Sequence, residues 1–237
     1  MFDTGGTITV FASKLAGCVG MHAYIDKTDL IHEFNALRNN KVHRSFQEEC
    51  VDKIKNMAHE EQTYITGVIG TRYDDVTTMN EALRSLACKC NDPDILKHIK
   101  SELYKQQGIH EEDNIRQHFS NKNNVCVVKN DEFATHHMFT IHDTDIRIGG
   151  RHDGLSTDGS LVEIKNRMNR FLGVPLYELV QVHAYMVIFD TTRATHVENY
   201  KGETRETDVV FDPVFWNNIK SSLFELFSQI LDKPIES

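Results

Sequence analysis

The chain has 237 residues, enough for one medium domain or a core with a helical annex, and long enough to bury a hydrophobic core without disulfide staples. Hydrophobic residues at 40% and charged residues at 26% read as soluble and globular. No apolar run approaches the ~20 residues of a membrane helix, and no basic segment followed by an apolar run opens the chain, so an intracellular protein is expected. The net charge of -9 argues against a protein that coats nucleic acid.

In chain order, the first 120 residues read as mainly helical. Ser13 is placed to cap a short helix reaching Val19. Leu30, Ile31, Phe34 and Leu37 form a helical stripe over residues 29–39, and Phe46, Cys50, Val51, Ile54, Met57 and Ala58 form another. Residues 78–89 are a third candidate. Asn91-Asp92-Pro93 punctuates, and Ile95, Leu96, Ile99 and Leu103 mark a helix that Gly108 is expected to break. A further helix follows over residues 110–119.

The texture then changes. Residues 125–128, 138–141 and 146–148 are short apolar runs between turn residues and read as strands, with Gly149-Gly150 and Ser156-Thr157-Asp158-Gly159 as turns. Residues 161–164 form the next strand. Pro175 opens a helix to about Phe189, residues 194–200 and 209–211 are the last strands, and Pro213 opens a final helix. This order predicts an α/β or α+β fold: a mixed central sheet flanked by helices, plus a helical N-terminal region. Residues 1–107 are expected to form that helical part and residues 108–237 the core, as one compact unit.

The chemistry concentrates in Gly150-Arg151-His152-Asp153-Gly154 and Leu161-Val162-Glu163-Ile164-Lys165. Asp153 ends one strand. Glu163 and Lys165, two apart on the next, point to one face. Ile164 points the other way, leaving its carbonyl at the strand edge. Two carboxylates and a carbonyl are hard oxygen ligands suited to Mg²⁺ or Mn²⁺. A metal there could activate water and offset charge on a phosphate, with Lys165 orienting the water or neutralising developing charge. Alone, Asp-x9-Glu-x-Lys is a common pattern that arises by chance. Here it lies in an apparent hairpin leading into the basic turn Lys165-Asn166-Arg167-Met168-Asn169-Arg170. From Asp145 to Arg205 the chain is locally neutral, with eight Lys/Arg and eight Asp/Glu.

With two further blocks, Gly108-Ile109-His110-Glu111-Glu112 and Gln181-Val182-His183-Ala184-Tyr185-Met186, the chain resembles the PD-(D/E)xK nucleases. Within them it is similar to the phage lambda exonuclease and YqaJ-like viral recombinase group. The resemblance runs from Gln107 to about Phe211 and implies a restriction-endonuclease-like core. It implies metal binding by Glu112, with Glu111 as its possible substitute, together with Asp153, Glu163 and the Ile164 carbonyl. Gln181 would face Lys165 and the scissile phosphate. Read without the family, Glu112 is a carboxylate in an acidic helix start and Gln181 a helical surface residue.

An N-terminal echo, Thr9-Val10-Phe11-Ala12-Ser13-Lys14-Leu15, maps Ser13 onto a residue that holds a terminal 5′ phosphate in the family. The family's upstream Trp and Arg have no counterpart in residues 1–8, and Arg151 is the candidate to supply that charge. Arg167 and Arg170 are candidate DNA-backbone contacts, with Lys201 and Arg205 as further basic positions.

The implied activity is a Mg²⁺-dependent DNA exonuclease, 5′-to-3′ on duplex ends, in viral or phage-type recombination, repair or replication. Mn²⁺ is expected to substitute, and a single-strand annealing protein is an implied partner. A structure-selective endonuclease or resolvase, an RNA-degrading nuclease and an inactive recombination scaffold are the rival readings. The five scattered cysteines are expected to be free thiols. None follows Cys126, so no iron–sulfur cluster is expected. Cys88-x-Cys90 lacks zinc-site spacing, and His136, His137 and His142 read as strand surface.

Overall fold

The computed structural model describes residues 2–3, 6–23, 25, 27–28, 30–31, 34, 46–73, 76–129 and 131–232. The chain divides into two compact units, Met1–His43 with Ile115–Ser237, and Arg44–Asn114. The fold is mixed α and β, with mixed sheets flanked by helices.

The helical unit holds α2 (Phe46–Lys55), α3 (His59–Gly70), α4 (Val76–Ala87) and the first part of α5 (Pro93–Asn123). Cys50, Ile65, Met79, Leu86, Ile95, Ile99 and Leu103 supply its buried side chains, whereas Phe46 and Val51 are exposed. Asp92 starts α5 by accepting from the amides of Asp94 and Ile95 at 2.9 and 3.2 Å. Contrary to the sequence expectation, Gly108 does not break this helix. A lone glycine costs a helix only about 1 kcal/mol relative to alanine, and helix formers continue on both sides.

The sheet unit carries α1 (Ala12–Cys18), the end of α5, α6 (Leu176–Ile188), α7 (Pro213–Leu231) and two sheets. One sheet has the order β1 (Phe2–Asp3), β2 (Thr7–Phe11), β5 (Thr144–Gly150), β4 (Ala134–Ile141). The other has the order β3 (Val127–Val128), β6 (Gly154–Ser156), β7 (Leu161–Asn166), β8 (Arg193–Tyr200), β9 (Glu203–Val210). Sequence periodicity misses β2, whose Ile8 and Val10 are buried while it pairs in parallel with β5. The stripe expected over residues 29–39 lies largely outside the described residues, and its Leu30 and Phe34 join the core.

His142 and Asp143 turn β4 into β5 with φ of 45° and 62°, and Lys201 and Gly202 turn β8 into β9 with φ of 52° and 82°. Positive φ at both central residues matches the right-handed twist of a hairpin. β9 begins earlier than expected because its first residues are charged and exposed and show no apolar pattern.

Gly149 and Gly150 are not a turn but the end of β5. They are small because rings crowd them: an added Cβ would lie 2.7 Å from Phe133 Cζ at Gly149 and 2.6 Å from Tyr185 Cε1 at Gly150. The main core joins Ile8, Leu15, Ile148, Val180, Ala184, Leu223 and Phe227. A smaller one packs Ile115 and Phe119 of α5 on Val162, Ile164 and Val197, one face of β7 and β8. Alternation sends Glu163 and Lys165 to the opposite face. Among the described residues no helix is long and apolar enough to cross a membrane, and all five cysteines are free thiols.

Candidate active site

β6 pairs with β7 only through Gly154↔Val162 and Leu155↔Leu161. Beyond that point the carboxylate of Asp153 replaces the missing strand, its Oδ2 accepting from the amide of Ile164 at 2.7 Å. A residue's N–H and C=O leave a strand on the same side, so the Ile164 carbonyl faces the edge that Asp153 occupies. The buried Arg116 fixes Asp153 in turn, its Nε donating to the Asp153 carbonyl at 2.9 Å. Arg116 was absent from the sequence reading; its contact spans 37 residues and leaves no local signal.

Glu163 is 4% exposed. Its Oε1 accepts from Lys165 Nζ at 2.7 Å, while its buried Oε2 has no hydrogen-bond partner. Burial, then the neighbouring charge of Asp153, push its carboxyl up to about 8 against the opposing pull of Lys165. Burial works against the Lys165 ammonium, but Glu163 and Asp153 outweigh it and hold Lys165 above its ordinary value. The charge of Asp153 contributes to both shifts, second to burial at Glu163 and together with Glu163 at Lys165.

Gln181 on α6 closes the group. Its Oε1 accepts from Lys165 Nζ at 3.3 Å and its Nε2 donates to Tyr185 Oη at 3.0 Å. Burial raises the Tyr185 phenol, so it stays protonated. Tyr185 lies four residues after Gln181, one helical turn away on the same face, as the spacing predicts.

The structure thus brings together Asp153, Glu163, Ile164, Lys165 and Gln181. Glu112 and its neighbour Glu111 are half-buried on α5, Glu112 one turn before Arg116. Ser13 is exposed in the first turn of α1 and does not cap it; that position is Phe11, which makes no side-chain cap bond. Arg151 and Arg170 are exposed. Arg167, expected as a DNA-backbone contact, directs its guanidinium inward. Its Nη1 and Nη2 bond Glu178 at 2.7 and 2.6 Å, and its Nε bonds Glu198 at 2.5 Å. With its donors so engaged, its geometry fits clamping α6 to the sheet.

Sequence reading also missed the rest of this clamp. His196 Nε2 meets Glu178 Oε2 at 2.8 Å, and Glu198 accepts the amides of Leu172 and Gly173 at 2.9 Å each. Burial raises Glu178, but His196 and Arg167 outweigh it and hold its carboxyl near 2. Glu163 pairs in register with His196, and Lys165 with Glu198, so clamp and candidate site share one sheet face.

Among the described residues no three His, Cys, Asp or Glu side chains form a group able to hold a metal ion. What the site offers a hard cation is two carboxylates, one with a buried unsatisfied oxygen, beside an edge carbonyl. That donor set fits Mg²⁺ or Mn²⁺, and a cation would offset both the burial and the Asp153 charge that raise Glu163.

No family model matches this chain, and no curated protein matches it. Solved structures do. An alkaline exonuclease (LHK-Exo) from Laribacter hongkongensis is 14% identical, with a TM-score of 0.46 over 94% of this chain and 88% of that one. The same exonuclease in complex with dAMP gives 14% identity and a TM-score of 0.41 over 94% and 89%. SSO0001 is 12% identical, with a TM-score of 0.41 over 75% of this chain and 86% of that one.

Proposed function

We propose that this chain is a metal-dependent deoxyribonuclease that hydrolyses phosphodiester bonds, acting as a 5′-to-3′ exonuclease on duplex ends in viral or phage-type DNA recombination, repair or replication. One observation carries the reading: Glu163 buries an unsatisfied carboxylate oxygen beside Asp153 and against Lys165. A purely structural ion pair gains nothing from a second carboxylate and an orphan oxygen.

In this reading Asp153, Glu163 and the Ile164 carbonyl would hold Mg²⁺ or Mn²⁺. When bound, the cation acts as a Lewis acid, lowering the pKa of water and offsetting charge on the phosphate. Lys165 stays protonated, so it donates hydrogen bonds rather than acting as a base; its ammonium orients the attacking water or a phosphate oxygen. Gln181, held by Tyr185, keeps that ammonium in place. Ser13, Arg151 and Arg170 are exposed donors available to backbone phosphates.

The test is digestion, with Mg²⁺ present, of linear duplexes carrying a 5′ phosphate, a 5′ hydroxyl or blocked ends, beside closed circular DNA and end-labelled RNA. End-dependent loss of duplex supports the proposal. Nicking of circles would instead identify an endonuclease, and preferential digestion of RNA a ribonuclease.

A further inference from the structure

The loop after β7, residues 167–173, is tied down by the amides of Leu172 and Gly173 on Glu198. This anchoring holds Phe171 beside the β8–β9 hairpin. The Phe171 and Tyr200 rings meet edge to face, with centroids 5.7 Å apart. The Arg205 guanidinium lies over Phe171, its Cζ 4.0 Å from the ring centroid, and Lys201 Nζ is 5.3 Å from the Tyr200 centroid. The Arg205 side chain remains 60% exposed. Arg170, next to Phe171 in the chain, and Lys201, next to Tyr200, are exposed; Glu203 lies 3.5 Å from Arg205, and Glu198, opposite Arg205 in the ladder, is engaged by Arg167 and the loop amides.

The register places this group on the candidate catalytic face. Lys165 pairs with Glu198 and Glu198 with Arg205, and residues directly opposite in a ladder share a face. Arg205 therefore stands in the same row as Lys165, two strand spacings or about 10 Å away. An exposed guanidinium lying over an aromatic ring adds a cationic planar group to that ring, and cationic planes and rings stack bases irrespective of sequence. A base inside a duplex is covered on both faces and cannot use such a surface. The surrounding excess of positive charge suits a phosphate backbone.

We infer that Phe171, Tyr200 and Arg205 form a stacking platform for an unpaired base of single-stranded DNA, with Lys201 and Arg170 along its backbone. The link of this platform to cleavage rests on the nuclease reading; the binding itself does not.

Binding is measured by fluorescence anisotropy of a labelled oligothymidylate at low salt in EDTA, which stops metal-dependent cleavage. The wild type should bind, and Phe171→Ala and Arg205→Ala should each weaken binding about tenfold. Arg205→Lys keeps the charge and loses the plane, so it should stay weakened. Thermal unfolding of each variant checks its fold, and Arg205, being exposed, can be replaced without opening the core. No binding by the wild type, unchanged affinity in Arg205→Ala, or full recovery in Arg205→Lys would each overturn the platform. Cleavage of linear duplex by the wild type in Mg²⁺, assayed separately, decides the nuclease reading, so the two can fail independently.

Discussion

Glu163→Gln should make the metal-free protein more stable at neutral pH, although Glu163 sits in an ion pair. The carboxyl has an ordinary pKa of 4.5 and is pushed up to about 8 in the folded chain. Between those values the folded state binds more protons than the unfolded state, so stability falls as pH rises, by about 1.4 kcal/mol per pH unit. At pH 7 this amounts to at most about 3 kcal/mol. Glutamine carries none of that cost, and at pH 7 it replaces a largely protonated carboxyl, so Lys165 keeps a neutral oxygen acceptor in place of the one at 2.7 Å. The net gain should be roughly 1–3 kcal/mol, or about 2–8 °C in Tm for a chain of this size. Calorimetry in EDTA measures it, and at pH 5, where the burden is below about 1 kcal/mol, the gain should vanish or reverse. Adding Mn²⁺ at pH 7 should raise the midpoint of the wild type more than that of the variant. A Glu163→Gln variant less stable than wild type at pH 7, or a gap that does not narrow at pH 5, would refute the buried-repulsion account.

Glu178 should behave in the opposite sense. Its carboxyl is held near 2 rather than 4.5, so it contributes about 3 kcal/mol of stability that is full above pH 4.5 and lost as pH falls through 2; Glu178→Gln should flatten that acid limb in an equilibrium pH titration. Glu178→Ala leaves His196 buried without its acceptor and frees two donors of Arg167, and should cost about 3 kcal/mol in urea unfolding. A cost below 1 kcal/mol would mean the clamp does not hold α6. Gly150→Ala drives a methyl group into the buried Tyr185 ring and should cost roughly 1–3 kcal/mol. If Tyr185 aligns Gln181, the variant should also lower the cleavage rate at temperatures where it remains folded.

The parts of the site legible in the sequence are those with a local period. Glu163 and Lys165 share a face because strand side chains alternate, and Tyr185 meets Gln181 because four residues make a helical turn. Arg116 on Asp153, and the clamp of Arg167, Glu178, His196 and Glu198, join residues from 11 to 37 positions apart. No periodicity marks them, and Arg167 read from sequence alone is one more basic residue in a basic turn. Composition likewise misleads at Gly108, where a breaker sits inside a 31-residue helix, and at Gly149 and Gly150, where small size serves ring contacts rather than a turn.

We propose Asp153, Glu163 and Lys165 as a metal-dependent phosphodiester-cleaving centre. Its most direct test is degradation of linear DNA in Mg²⁺ by the purified wild type and by Glu163→Ala and Lys165→Ala, with circular dichroism on each to check folding. The wild type should cleave, lose that activity on adding EDTA, and exceed both folded variants by at least about 10²–10³-fold. Full activity in either folded variant would contradict it.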